Sequence, residues 1–315
     1  MSKVLVVVGS INADLYVEIA RLPLIGETIL GDDGAIRAGG KGANQAAAAA
    51  RLGVETWFVG NLGSDAFAPP LRLALEGAGV KLDLLNQVDG PTGQAFVLLQ
   101  KGGDSSIIAI GGANQSWSGL SDDARAQIRA SGGVLLQREI PDEINMEAAH
   151  TAHAAGIPVI LDAGGADRPF DDELLKLVTV LSPNETELAR LTGMPTATSE
   201  QVVAAARALH AKGVESVLVK LGERGTMLVP HKGSVLVHGV FRVPVIDSTG
   251  AGDCFTAAYA AATVGGMSET ARLRFASAAA ALCVQKKGAL GSMPSRELVK
   301  KFLQTRSFEA VPTDE

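Results

Sequence analysis

The seven residues Asp247-Ser248-Thr249-Gly250-Ala251-Gly252-Asp253 stand directly ahead of an apolar, Ala-rich stretch that reads as a helix. Small residues at a helix entrance leave backbone N–H groups free to face an anion, and the helix dipole adds to their field. Gly250, Ala251 and Gly252 are suited to stabilising charge on a transferring phosphoryl group. Asp253 follows in the first turn, where a carboxylate can accept the proton of an attacking hydroxyl. A Gly-rich turn with a capping Asp explains the same residues without any chemistry. The surrounding clusters have to decide between the two.

Three further clusters carry polar groups beside small residues. In Gly39-Gly40-Lys41-Gly42-Ala43-Asn44-Gln45, paired glycines permit close approach of a small ligand, and Lys41 and Asn44 offer donors to hydroxyls. The plain alternative is a Gly-rich loop entering an Ala-rich helix, with a solvated Lys. Gly9-Ser10-Ile11-Asn12-Ala13-Asp14 ends the first strand-like run, and parallel sheets take their ligands at such carboxyl ends. Asn12 and Asp14 suit the vicinal hydroxyls of a sugar, or else form an Asx turn closing the strand. In Pro183-Asn184-Glu185-Thr186-Glu187, Asn184 and Glu187 have capping-box spacing, and the same carboxylates suit a water-coordinated Mg²⁺ near a triphosphate. The GxxxxGK[ST] phosphate loop, GxGxxG after the first strand, HExxH and GxSxG are all missing. A nucleotide would have to be held by another design. The five histidines show no metal or catalytic spacing; His150 and His153, three apart, read as decoration of a helix face.

The elements that must position these groups are short apolar runs alternating with Ala- and Leu-rich stretches, the pattern of a mostly parallel sheet covered by helices. Strands are expected at Val4–Val8, Thr56–Val59, Val134–Gln137, Pro158–Leu161, Val178–Leu181 and Ser216–Val219. Helices are expected at Ala43–Leu52, Asp142–Ala155, Glu185–Leu191, Val202–Lys212, Ala251–Val264 and Glu269–Val284. Residues 11–38 and 92–112 break the rhythm with short extended pieces, Gly and Pro, and contain no convincing helix. They are expected to form a small inserted sheet, a natural lid over a cleft, with 1–10, 39–91 and 113–307 making the main α/β domain. Phe308 to Glu315 reads as a polar tail.

Composition narrows the class. Hydrophobic residues make up 47% and charged residues 20% of the 315, enough apolar material for a large core. A net charge of −6 and no basic stripe exclude a nucleic-acid footprint. Cys254 and Cys283 are not in a CxxC pair, which argues against thiolate zinc or a disulfide scaffold and for a reducing compartment. No stretch approaches the roughly 20 apolar residues of a membrane span. The chain enters a strand-like run almost at once, so no cleavable leader is expected and the cytosol is the expected location, although a trimmed organelle precursor would look the same.

Taken in order, GSINAD, GGKGANQAAAAARLG, SPNETEL, LVKLGERG and DSTGAGDCFTAA resemble the ribokinase family of carbohydrate kinases from about Val4 to Leu303. GSINAD and GGKGANQ favour its ribokinase branch over the fructokinases and adenosine kinases. The resemblance implies a ribokinase-like fold and ATP-dependent phosphorylation of the 5-hydroxyl of D-ribose. It implies Asp253 as general base, Gly250, Ala251 and Gly252 as anion hole, and Asn12, Asp14, Gly40, Lys41, Asn44 and Glu139 as sugar contacts. Asn184 and Glu187 match the phosphate and Mg²⁺ region, and Lys220, Leu221, Gly222, Glu223, Arg224 and Gly225 the nucleotide-binding strand and turn. A K⁺ site is implied at Asp247, Thr249, Cys283, Lys286, Gly288 and Ser292, several through backbone oxygen, together with a homodimer joined through the lid. Two departures bear on the nucleotide side. Ser277 stands where many ribokinases have an adenine-contacting His, and Asp162-Ala163-Gly164-Gly165 replaces the Asn-Pro-rich loop of bacterial forms. A kinase for 2-deoxyribose, a ketohexose or adenosine stays open as an alternative, and so does a non-catalytic sensor of sugar or nucleotide on the same scaffold.

Overall fold

Val4–Val8 (β1) is buried on both faces, its odd and even side chains entering two different cores, and that double burial organises the whole chain. The computed structural model describes residues 3–100, 105–166 and 168–306; the tail read at Phe308 to Glu315 lies outside the described residues. Among the described residues, a nine-stranded sheet runs in the spatial order Leu236–His238 (β13), Thr226–Pro230 (β12), Ser216–Lys220 (β11), Val180–Ser182 (β10), Val159–Gly165 (β9), Gly133–Arg138 (β8), β1, Glu55–Leu62 (β4) and Leu85–Gln87 (β5). From β11 across to β5 every pairing is parallel; β12 and β13 add an antiparallel edge.

Helices cover both faces. They are Lys41–Arg51 (α1), Ala68–Gly77 (α2), Asp122–Ala130 (α3), Asp142–Ala154 (α4), Asp172–Lys176 (α5), Glu185–Thr192 (α6), Ser199–His210 (α7), Ala251–Val264 (α8), Glu269–Cys283 (α9) and Arg296–Thr305 (α10). Leu5 and Val7 pack with α1, α2, α8, α9 and α10 on one side, and Val6 and Val8 with α3 to α7 on the other. This is the α/β architecture expected from the alternating runs, a mostly parallel sheet flanked by helices.

Several elements differ from the expectation for local reasons. Helix α7 starts at Ser199, before the expected Val202, because Thr198 and Gln201 form a capping box. Helix α2 carries Pro69 and Pro70 in its first turn, where a missing N–H is no loss, although the pair reads as a breaker in sequence. Helix α3 buries only Ala124 and Ile128, too thin an apolar stripe to stand out; its start is fixed by the Ser121 side chain accepting from the Ala124 amide. Strand β13 is only three residues long.

The second sheet has the order Asp33–Gly39 (β3), Asn12–Ile19 (β2), Gly93–Gln100 (β6) and Ser105–Ile110 (β7). Its four strands come from the two stretches that lacked helical periodicity. Leu15, Ile36, Phe96 and Ile108 are paired in one row across it, so they share a face. Ile36 and Ile108 on that row are 62% and 59% exposed. Where this sheet joins the main one, Asn114 clamps the chain: its side chain accepts from the Ile11 amide at 2.9 Å and donates to the Ile11 carbonyl at 3.1 Å. Helix α1 begins against the same corner. A β-carbon at Gly42 would stand 2.5 Å from the Ser10 nitrogen, so only glycine lets α1 start this close to the end of β1.

Candidate active site

Three chain segments far apart in sequence meet at the carboxyl end of β1: the start of α1, the start of α8 and the end of β8. Asp253 lies in the first turn of α8 with its side chain 6% exposed. Asn44 Nδ2 donates to Asp253 Oδ2 at 2.9 Å, and Gln45 Nε2 donates to Oδ1 at 3.0 Å. Gln45 is itself aimed by Gln137, whose Nε2 donates to Gln45 Oε1 at 2.7 Å. Lys41 Nζ stands 3.7 Å from Asp253 Oδ1. The Asp253 carboxylate pushes the Lys41 pKa upward, outweighing the opposite effect of burial, so Lys41 is a fixed cation.

Two more carboxylates border this cluster. The Glu139 carboxylate accepts from the Ser10 hydroxyl and, at 2.9 Å, from the Lys41 amide. Asp14 is buried, and its pKa is raised to about 7 by that burial first, then by the charges of Glu139 and Asp253. Asn12 accepts from Asn114 Nδ2 at 2.7 Å, which fixes the orientation of its amide. Asn12, Asp14, Lys41, Asn44, Glu139 and Asp253 are thus gathered at one corner, with Gly40 capping α1 beside them. Many buried acceptors and amide donors in one pocket suit a polyhydroxylated ligand.

On the other side of the α8 turn lies a cavity of about 750 Å³. Lys220, Leu221, Gly222, Glu223 and Gly225 line it, with Gly252, Phe241 and Ser277. Arg224 does not join them. Its guanidinium pairs with Glu185 and donates to the carbonyls of Ala197, at 2.7 Å, and Thr196, at 3.1 Å, which turns it away from the cavity. The Ser277 hydroxyl lies 3.3 Å from His238 Nδ1, so an imidazole from β13 stands beside Ser277. The three small residues of the turn are also not equivalent. Gly250 caps α8 with φ 78°, and the Ala251 amide already donates to the Ser248 carbonyl at 3.1 Å, so Ala251 is not a free donor as the spacing suggested.

Asn184 and Glu187 form the capping box of α6, each side chain bonded to the other's amide at 2.8 Å. Asn184 also bridges in parallel to Lys220, which sets the box beside the cavity. The residues proposed around a monovalent cation are brought together as well. The Asp247 carboxylate accepts from the Gly288 amide at 2.7 Å and from the Thr249 amide at 2.9 Å. Burial opposes ionisation there, but those amides hold the Asp247 carboxyl below the ordinary range. The Lys286 amide donates to the Cys283 carbonyl, and the Ser292 hydroxyl donates to the Ala289 carbonyl while contacting Cys283 Sγ at 2.9 Å. Each Asp247 oxygen keeps a lone pair beyond its one amide bond, and with backbone carbonyls of the two loops it makes an all-oxygen donor set that fits a hard cation. Among the described residues, no group of three or more His, Cys, Asp or Glu side chains forms a metal cluster. His150 and His153 are exposed on α4, away from both pockets.

Residues 2–296 match the model of the pfkB family of carbohydrate kinases. The chain belongs to that family. It is 53% identical over 306 residues to the ribokinase of Arabidopsis thaliana, covering 95% of this chain and 81% of that one. It is 39% identical to the ribokinase of Haemophilus influenzae, covering 96% of this chain and 99% of that one. The solved structure of the Arabidopsis thaliana ribokinase complexed with ribose and ATP superimposes with a TM-score of 0.93 at 52% identity, over 97% of this chain and 100% of that one.

Other polar side chains in this carbohydrate kinase were not singled out from sequence. Gln45 lies within a flagged motif and was a lone amide in a run of alanines, a signal that was available. Gln137 sits in an apolar strand and Thr256 one turn into α8; Asp162 stood out only as the start of a departing loop, and the fold alone brings all three to the site.

The raised pKa of Asp14 has a consequence for stability. Between the ordinary Asp value and about 7 the folded chain keeps a proton that the unfolded chain releases, so this group's contribution is full at low pH and is lost as pH rises through 7. Asp14→Asn is expected to remove that loss. The melting temperature of the variant relative to the parent should climb as pH goes from about 5 to about 7.5, by roughly 1.4 kcal/mol of stability per pH unit. Parallel curves in a thermal-melt series would mean that Asp14 ionises normally.

Proposed function

We propose that this enzyme transfers the γ-phosphoryl group of ATP to the 5-hydroxyl of D-ribose, forming D-ribose 5-phosphate. The observation that carries this reading is the position of Asp253. Its carboxylate lies between a pocket of hydroxyl-binding groups and a cavity of nucleotide size, and each of its oxygens accepts one amide hydrogen bond. One lone pair on each oxygen remains for a substrate hydroxyl. The likeness to the two ribokinases and to the ribose- and ATP-bound structure supports the choice of substrates.

In this mechanism ribose is gripped by Asn12, Asp14, Lys41, Asn44 and Glu139, with Gly40 allowing close approach. The amides of Asn44 and Gln45 aim Asp253, which takes the proton of the 5-hydroxyl as the phosphoryl group moves in line. Gly252 and the α8 dipole stabilise the charge that develops on that group. Adenine lies in the cavity between the Lys220–Gly225 turn and Ser277. One Glu187 oxygen accepts from the Asn184 amide, and the other would hold Mg²⁺ through water, an ion that would neutralise triphosphate charge. K⁺ is assigned to oxygens of Asp247, Thr249, Cys283, Lys286, Gly288 and Ser292, several of them backbone oxygens, where it would add positive charge behind the α8 turn.

The sheet of residues 11–38 and 92–112 acts as a lid on the main domain of 1–10, 39–91 and 113–307, keeping water from the transferring group. Its exposed Ile36 and Ile108 form the contact of a homodimer, since an exposed apolar sheet face invites a partner. The cytosol suits two buried free thiols, and no described helix is long and apolar enough to cross a membrane.

Asp253→Asn is expected to bind ribose and ATP like the parent but to turn over at least ~100-fold more slowly, the lower end of a typical general-base contribution. A coupled ADP-release assay over ribose, 2-deoxyribose, fructose and adenosine tests this together with the substrate; near-normal turnover by the variant would remove Asp253 as base. In the same assay, replacing K⁺ by Na⁺ or a bulky organic cation should lower activity while the far-UV circular dichroism stays unchanged; indifference to the swap would remove the cation site. Ile108→Glu should sediment as a monomer at micromolar concentration where the parent sediments as a dimer, and a dimeric variant would move the interface elsewhere.

A further inference from the structure

At the end of β11, the Lys220 side chain is 13% exposed and reaches into the junction between the two pockets. Its Nζ donates to Asp162 Oδ2 at 2.8 Å and to Thr256 Oγ1 at 3.3 Å. An ammonium carries three donors, so one N–H is left over. The direction of the side chain is set by its surroundings: Lys220 lines the cavity together with Gly252, and a β-carbon at Gly252 would stand 3.8 Å from the Lys220 Nζ. The leftover donor therefore lies at the turn of α8, where Asp253 also begins.

Asp162 is the reason the ammonium stays there. Its side chain is 1% exposed, at the carboxyl-terminal part of β9. Oδ1 accepts from the Gly164 amide at 2.9 Å, and Oδ2 accepts from the Thr256 hydroxyl at 2.8 Å as well as from Lys220. Thr256 in turn lies 3.0 Å from the Gly252 carbonyl and 3.1 Å from the Ser182 hydroxyl. A second ammonium borders the same carboxylate. A β-carbon at Gly164 would meet Lys41 Nζ at 2.8 Å and Asp162 Oδ1 at 3.0 Å. Burial pushes the Asp162 pKa up, but the charges of Lys220 and Lys41 bring it below the ordinary value. One buried anion thus bonds one cation and feels the charge of a second: Lys220 on the side of the nucleotide cavity is bonded to it, and Lys41 on the side of Asp253 acts on it through space.

We propose that Lys220 contacts the transferring phosphoryl group, and that Asp162, with Thr256, is the positioning residue that aims it. A group passing from the cavity to Asp253 crosses between the two ammonium groups. Charge-assisted bonds from lysine to phosphoryl oxygen are about twice as strong as neutral ones, and they act where the phosphoryl charge shifts during transfer. Asp162 keeps Lys220 from swinging out into the cavity before the nucleotide arrives, and its own charge is already shared between two lysines.

This inference rests on the reading of the chain as an ATP-dependent ribose kinase, so the parent enzyme is assayed first; no ADP release with ribose would sink that reading rather than the role of Lys220. Given an active parent, Lys220→Met is expected to lose ~10²–10³ in kcat, the range for removing one preorganised donor to a developing charge. The KM for ribose should stay within ~3-fold, and calorimetry should find ATP affinity reduced more than AMP affinity, because only ATP carries the group in question. Lys220→Arg should recover at least ~10-fold of the lost kcat. Asp162→Asn should lower kcat as well, and the double variant should be no slower than Lys220→Met alone, since the two residues act as one unit. Retention of kcat within ~3-fold by Lys220→Met, equal losses for ATP and AMP, or additive losses in the double variant would each overturn the proposal. Should Lys220→Met fail to fold, Lys220→Gln, which keeps a donor for Asp162, is expected to show the same ATP-over-AMP discrimination and the same fall in kcat.

Discussion

A carboxylate buried to within 6% of full enclosure has to be compensated, and the bonds from Asn44 and Gln45 to Asp253 do that across two helices. Leaving such a charge unpaired would cost several kcal/mol. The compensation is available only because α1 and α8 lie close together. Ala43 and Ala46 to Ala49 on α1, with Ala257, Ala258 and Ala260 to Ala262 on α8, are almost wholly buried in one core. Larger side chains there would separate the helix axes and draw the two amides out of reach. The alanine runs and the reactive corner are one construction.

Around that corner the charges are arranged in alternation. Asp253, Asp162 and Glu139 act on Lys41, Asp162 is also paired with Lys220, and Asp14 feels Glu139 and Asp253. Like charges are kept apart by a counter-charge or by a hydrogen bond from the backbone, as with Glu139 and the Lys41 amide. The strain that remains is concentrated at Asp14, which has burial and two neighbouring carboxylates against it. A polar ligand that donates hydroxyl hydrogens there would relieve that strain.

Much of this was legible in sequence where the signal is local. Parallel strands buried on both faces read as apolar runs, and α1, α8 and α9 carry unbroken helix-forming residues, so their ends agree with the structure to within four residues. Asn44, Lys41 and Asp253 could be named because each stands in a contiguous run of small residues. Arg224 and Ala251 could not be judged in the same way. Both lie in motifs that reach the cavity, but one side chain is captured by Glu185 and one amide by Ser248, and partner choice of that kind depends on tertiary placement. The short elements β13 and α3 gave no clear period, because an edge strand and a thinly buried helix need few apolar residues.

By itself the amino-acid sequence determined the class of fold, the family and the identity of the groups able to do chemistry, because periodicity, capping and small-residue motifs act within a few residues of one another. Tertiary structure alone decided which of those groups face each other. Gln137 in β8 meets Gln45 in α1 across 92 residues, and Asp162 in β9 meets Lys220 in β11 across 58 and Thr256 in α8 across 94, and nothing local marks them as neighbours. Their side chains meet because parallel strands end on one edge of the sheet, and hydrogen-bond partners across that edge are set by strand order and register.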